Sequence, residues 1–224
     1  MKFTIVYDNE TTRADLTPAW GFSCVIETGK RILFDTGWDG SILLSNMRAL
    51  GYRPGDIDAI VLSHLHWDHI GGLPSILAET EDVEVIVPDS FSKHLRQEIG
   101  RNHRIRVVKE PGEIFGGIYS TGELTGRFQD ITLGEQSLAV ETSIGLVVVA
   151  GCSHPGVEKI LETSRQFGNL YGIVGGFHGF DKYEMMKDLA LIVPTHCTQH
   201  KKEIKEKYGG IVEAGGVGWS KTID

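Results

Sequence analysis

Three histidines and an aspartate fall within six consecutive positions, in the segment Ser63-His64-Leu65-His66-Trp67-Asp68-His69-Ile70-Gly71-Gly72. An apolar core does not tolerate that density of polar groups uncompensated. The segment follows directly on Ile57 to Leu62, where Ala59-Ile60-Val61-Leu62 is apolar on both faces, as a central strand requires. Any fold for this chain must therefore end a buried strand on a cluster of candidate metal ligands. In extended chain His64 and His66 point to the same side. A turn into helix after them brings Asp68 and His69 into the same cavity, so one short loop can start two adjacent metal sites. Imidazole and carboxylate donors suit Zn, Fe or Mn rather than Ca or Mg.

Three further histidines follow strand-like runs in the same way. His154 follows Leu146 to Ala150, within Gly151-Cys152-Ser153-His154-Pro155-Gly156. His178 follows Tyr171 to Val174, within Gly175-Gly176-Phe177-His178-Gly179. His196 follows Leu191 to Val193, within Pro194-Thr195-His196-Cys197-Thr198. Strand C-ends are where open α/β sheets collect their ligands. The other three of the 9 histidines, His94, His103 and His200, stand on polar helical or loop positions and read as ordinary surface residues.

Around these positions strand and helix patterns alternate. Strands are expected at 3–7, 22–27, 31–35, 57–63, 83–87, 105–108, 117–120, 137–141, 146–150, 171–174, 191–193 and 210–213. Helices are expected at 39–50, 73–79, 91–99, 155–167, 181–189 and 198–208. Asp39 serves as a cap for the first helix, and Gly51 stops it. Both halves follow a plan of antiparallel hairpins succeeded by strand–helix units, compatible with two packed sheets flanked by helices. The 224 residues suffice for one domain spanning 1–224 with a core that needs no disulfides.

Thirty acidic against 22 basic residues give a net charge of −8, which disfavours a nucleic-acid binder. No stretch approaches the roughly 20 apolar residues of a membrane span. The start, Met1 to Asp8, reads as a first strand rather than a signal peptide. Three cysteines, Cys24, Cys152 and Cys197, form no secreted-type framework and fit a reducing cytoplasm. Cys152 and Cys197 read as small buried fillers.

The pattern His64-x-His66-x-Asp68-His69, followed by His154 and His196 and preceded by Phe34-Asp35-Thr36-Gly37, resembles the metallo-β-lactamase-fold superfamily. The agreement in order and spacing runs over essentially the whole chain. Asp8-Asn9, Gly21-Phe22-Ser23 and the motifs around Cys152, His178 and His196 look like one subfamily. Its members are described as metal-dependent hydrolases or as similar to dihydropterin-ribofuranosylaminobenzene-phosphate synthase.

The resemblance implies an α/β (α+β) fold, a four-layer αββα sandwich of two mixed sheets, with two divalent metal ions at one edge. Zinc is the first choice of metal, with Mn or Fe as alternatives. His64, His66 and His154 would hold one metal; Asp68, His69 and His196 would hold the second. Asp35 would orient the ligand loop by hydrogen bonds. Many superfamily hydrolases place a bridging Asp before the last His, and here that position reads His178, as a ligand or a general acid. Asp68 would orient an activated water while ligating, Trp20 and Trp67 would wall the substrate pocket, and Cys152 and Cys197 would only fill space.

The implied activity is hydrolysis of a phosphoester or related ester of a small anionic molecule. A helix opening at Pro155, just after His154, would face its anionic group with free N–H donors. The alternative is a synthase of the dihydropterin type. A di-iron redox protein on this fold is set aside, because those usually carry Glu where this chain has His66, and a flavin domain besides.

Overall fold

Side chains on a strand alternate between two faces, so each residue's place in the order assigns it to a layer. The computed structural model describes residues 1–223, apart from the side chain of Phe128. In chain order the first half contains β1 (Lys2–Tyr7), β2 (Ser23–Glu27), β3 (Arg31–Phe34), α1 (Gly40–Ala49) and β4 (Ala59–Val61). It continues with α2 (Trp67–Ile70), α3 (Leu73–Ala78), β5 (Glu84–Pro88), α4 (Lys93–Ile99) and β6 (Arg104–Val108). The second half begins with β7 (Gly112–Phe115), β8 (Ile118–Ser120), β9 (Leu124–Phe128), β10 (Ile131–Glu135), β11 (Leu138–Thr142) and β12 (Gly145–Ala150). Then come α5 (Val157–Ser164), β13 (Leu170–Gly176), β14 (Leu191–Thr195), α6 (Lys201–Tyr208) and β15 (Ser220–Thr222).

The first sheet has the order β15-β1-β2-β3-β4-β5-β6, antiparallel as far as β3 and parallel from there. The second has the order β14-β13-β12-β11-β8-β7, parallel among β12, β13 and β14. The β9–β10 hairpin stands apart from both.

Three apolar layers follow from the alternation. Between the sheets, Phe3, Ile5, Phe22, Phe34, Val61 and Ile86 meet Ile118, Val140, Val147, Val149 and Val193. The outer face of the first sheet carries Val25, Leu33, Ile60 and Val85 against Leu43 and Met47 of α1, Ile76 of α3 and Ile99 of α4. The outer face of the second carries Val148, Ala150, Ile173 and Ile192 against Val157, Ile160 and Leu161 of α5 and Ile204 of α6. On β12, therefore, Val147 and Val149 enter the central layer, while Val148 and Ala150 enter the outer one. Each such fully buried aliphatic contributes about 1.5–3 kcal/mol. The result is the αββα sandwich that the resemblance implied.

Local signals are honoured where their partners are local. Asp39 caps α1, its Oδ1 accepting from the backbone N–H groups of Ser41 at 2.8 Å and Ile42 at 3.1 Å. Three expectations fail where tertiary context intervenes. The helix expected at 155–167 starts at Val157, because Gly156 at φ 97° breaks the helical path, and it ends in a 3-10 turn over Arg165–Phe167. The stretch 181–189 forms only the 3-10 turn Tyr183–Met186. At 210–213 the chain makes the 3-10 turn Gly209–Ile211 and one bridge, Ile192 to Val212. Instead β15, unforeseen in the sequence, completes the first sheet against β1.

Candidate metal centre

Strand ends from both sheets converge on one edge of the sandwich. The end of β4 delivers Ser63 and His64, β12 delivers Cys152 to His154, β13 delivers His178 and β14 delivers His196. His66 sits at the N-cap of the single-turn α2, which carries Asp68 and His69. Close approach of the two sheets here depends on Gly151, where a Cβ would fall 2.4 Å from Ser63 Oγ. Asp35, Ser153, His178 and His196 all hold positive φ, at 58°, 61°, 48° and 46°. Such backbone is costly outside glycine and persists where surrounding contacts impose it.

Four of the imidazoles are anchored through Nδ1. Asp35 Oδ2 lies 2.7 Å from His69 Nδ1 and accepts the Ser63 hydroxyl at 2.7 Å; Ser63 Oγ in turn lies 2.8 Å from His64 Nδ1. Because that hydroxyl gives its proton to Asp35, it accepts one from His64 Nδ1–H and leaves Nε2 with a lone pair. Glu135 Oε2 lies 2.7 Å from His154 Nδ1, and Asn9 Oδ1 lies 3.0 Å from His196 Nδ1. Anchoring one ring nitrogen of a histidine fixes the tautomer and turns the other nitrogen into a directed donor.

The directed atoms gather into the two sets expected from the sequence. The donor atoms of His64, His66 and His154 lie within 4.8 Å of one another, as do those of Asp68, His69 and His196. His64 Nε2 and His66 Nδ1 are 3.1 Å apart, and Asp68 Oδ2 is 3.2 Å from His196 Nε2. Imidazoles anchored on carboxylate, hydroxyl and amide oxygens, together with a carboxylate donor, suit Zn, Mn or Fe, so the residues fit the metals the resemblance implied.

Burial, with the other imidazoles, pushes His64 well below the ordinary histidine range and His69 down to about 3. Burial also lowers His66 and His178, helped in each by His154. Burial opposes ionisation of Asp68 and Glu135, yet the surrounding histidines hold both carboxyls below the usual range. Asp35 is pushed up by burial against the Ser63 hydrogen bonds.

His64 and His69 protonate near 6.5 when unfolded and well below that when folded. The unfolded chain therefore binds more protons between those values, and stability is lost as pH falls below about 6.5. The slope reaches up to about 1.4 kcal/mol per pH unit for each such histidine, with Asp35 acting in the opposite direction. The thermal midpoint of metal-free protein is expected to hold at about pH 7 and to fall steadily towards pH 5. A midpoint that stays flat over that range contradicts the depression.

The mouth is a pocket of about 270 Å³ lined by Trp20, Trp38, His66, Trp67, Asp68, Cys152, His154, His178 and Cys197. Trp20 and Trp67 are 55% and 54% exposed there, with the Trp20 ring 5.1 Å from that of His196. Trp38, 50% exposed, is a third indole that the sequence did not single out. His178 lies beside His154, ring centroids 5.1 Å apart, but joins neither donor set. The buried group next to both sets is instead Cys152, whose Sγ is 3.1 Å from His69 Nε2. Cys24 is enclosed between the sheets, with its thiol pushed up to about 12 by burial. Beside the N–H groups expected to face an anion after His154 stands a carboxylate of the same helix: a Cβ on Gly156 would lie 2.9 Å from Glu158 Oε2.

Glu135 carries the largest anchoring role that went unread. Its two oxygens accept from the backbone N–H groups of Cys152, Ser153 and His154 at 2.9, 2.8 and 2.9 Å, besides meeting the His154 ring. Asp8 similarly accepts the His196 N–H at 3.1 Å. Glu135 ends a turn-rich stretch with no periodicity, so only the pairing of β10 with β9 reveals it; Asp8-Asn9 was visible as a motif, without a role.

The family model described as the metallo-beta-lactamase superfamily matches residues 21–196. The 7,8-dihydropterin-6-methyl-4-(beta-D-ribofuranosyl)-aminobenzene-5'-phosphate synthase of Methanocaldococcus jannaschii is 29% identical, over 84% of this chain and 84% of its own. Ribonuclease TTHA0252 of Thermus thermophilus is 31% identical over 48% of this chain, which is 24% of the ribonuclease. The crystal structure of Tm1679, a metal-dependent hydrolase of the beta-lactamase superfamily, superposes with a TM-score of 0.80 at 23% identity, covering 100% of both chains. With the family model matched from residue 21 to residue 196, the chain belongs to the metallo-beta-lactamase superfamily.

Proposed function

We propose that this chain is a metal-dependent hydrolase holding two divalent ions, Zn first among them, and acting on a phosphoester or related ester of a small anionic molecule. The carrying observation is the pair of three-residue donor sets opening on one shared mouth. Divalent metal bound there supplies Lewis acidity and brings the pKa of water from about 16 towards 7. The chain's own residues do the rest. Asp68 orients the attacking water through its carboxylate, His178 presents a ring nitrogen to the leaving group, and Trp20, Trp38 and Trp67 exclude bulk water and seat the substrate.

A second reading is synthase chemistry of the dihydropterin type. It is favoured by three half-exposed indoles around one mouth, a surface suited to stacking a planar ring, and by similarity to the Methanocaldococcus jannaschii synthase. In both readings the substrate is a small anion, with no nucleic-acid or membrane partner. Among the described residues no helix is long and apolar enough to cross a membrane. The free thiols of Cys24, Cys152 and Cys197 fit a cytoplasmic setting.

The test is a panel on zinc-, manganese- and iron-loaded protein, spanning phosphomonoesters, phosphodiesters, lactones, thioesters and a pterin with a ribosylaminobenzene phosphate. Hydrolysis of an ester in the panel is expected. Condensation of the pterin pair without ester hydrolysis overturns the hydrolase reading in favour of the synthase.

A further inference from the structure

Trp20 and Trp38 wall a second cavity besides the mouth at the donor sets. It measures about 390 Å³ and is completed by Tyr7, Ala19, Asp39 and Ile42. Among the described residues no histidine and no basic side chain lines it, and the Asp39 carboxylate is engaged in capping α1. The lining is thus aromatic and aliphatic, with nothing to neutralise an anion. Its volume falls within the range of small-molecule sites, about 300–1,000 Å³. Large apolar side chains left half-exposed side by side, as Trp20 and Trp38 are, mark a surface of interaction.

The backbone beneath the two indoles is fixed from several sides. The Ala19 N–H donates to the Asp8 carbonyl at 2.9 Å and the Gly21 N–H to Asn9 Oδ1 at 3.1 Å. Trp20 therefore stands between two anchors on the residues that also hold His196. Gly21, at φ 137°, lets the chain close on Trp38: a Cβ there would fall 3.0 Å from Trp38 N and 2.5 Å from the Asp68 carbonyl oxygen. The Asp39 N–H donates to the Tyr7 hydroxyl at 3.1 Å. Indoles carried on a backbone locked in this way lose little freedom when a ligand binds.

We propose that this cavity is a subsite for an uncharged aromatic ring, the arm of the same small molecule whose ester lies at the donor sets. The joining of ring to ester rests on the hydrolase reading above; the ring subsite does not. Continuity supports the joining, because Trp20 and Trp38 line both cavities. The aromatic walls favour a ring over an alkyl chain, since paired rings attract beyond the area they bury. The substrate then has two unlike ends, the anionic one at the donor sets and the flat apolar one against Tyr7 and Ile42.

Isothermal titration of the purified protein with β-naphthol, with and without zinc, tests the subsite. Wild type is expected to bind one equivalent equally well in both states. Ile42→Arg places a charged side chain in the cavity from the partly exposed flank of α1. It should bind about tenfold or more weakly, and Trp38→Phe should retain binding. Binding that requires zinc puts the ring at the donor sets and overturns the subsite, as does full affinity in folded Ile42→Arg. Absence of binding to wild type overturns it too. For the arm, the ester class turned over by zinc-loaded protein is compared as its β-naphthylethyl and ethyl esters. Wild type should prefer the first by about tenfold or more in kcat/KM, and Ile42→Arg should erase that preference. Equal rates in wild type overturn the arm. Turnover of no ester removes the hydrolase reading and the arm with it, while the titration alone decides the ring subsite.

Discussion

Joint replacement of His64 and His66 by alanine is expected to leave the purified protein with about one metal equivalent per chain instead of two, and with hydrolysis at background. These residues are two of the three donors in the first set. Changing an outer partner of a metal ligand already costs about 10–100-fold in affinity, so loss of two ligands exceeds the upper figure. The set of Asp68, His69 and His196 stays complete in the variant, which is why one equivalent should remain. His66 is half-exposed at the N-cap of α2 and His64 ends β4, so the sandwich core is untouched. Elemental analysis after dialysis, with circular dichroism to verify folding, reads the result. Metal content equal to wild type in a folded double variant removes the assignment.

The second large effect is expected at Asp35, because one carboxylate braces both donor sets. It meets His69 directly and reaches His64 through the Ser63 hydroxyl. Asp35→Asn keeps the volume but turns an NH₂ group or a single carbonyl towards three donors, the Ser63 N–H and O–H and the His69 ring. Affinity for both metals should fall by about 10–100-fold, and the buried donors left unpaired should cost about 1–3 kcal/mol of stability. Glu135→Gln is the control, since Glu135 braces the ring of His154 in the first set alone. Competition titration against a chelator should then show two weakened sites for Asp35→Asn and chiefly one for Glu135→Gln. Weakening of a single site in Asp35→Asn would show that the shared carboxylate does not couple the two positions.

Much of this candidate centre was legible in the sequence because its candidate donors follow buried strands. An apolar run ending in histidine is a local pattern, and it located His64, His154, His178 and His196 at strand ends. Boundaries were less legible around α5 and at 181–189, where a positive-φ glycine and contacts with the second sheet outweigh helical propensity. The placing of Cys152 beside ring nitrogens was not legible for a related reason. A small buried thiol has the same local signature whether apolar side chains or ring nitrogens surround it.

By itself the sequence determined the layer each strand residue enters and singled out the histidines and the aspartate that gather into the two donor sets. Period-two alternation and short motif spacing act within a few residues of chain. Tertiary structure alone decided what holds those donors in place. Asp35 reaches His69 across 34 positions, Glu135 reaches His154 across 19, and Asn9 reaches His196 across 187. No local pattern encodes such pairings, because a hydrogen bond between two loops exists only once packed sheets bring their ends within 3 Å.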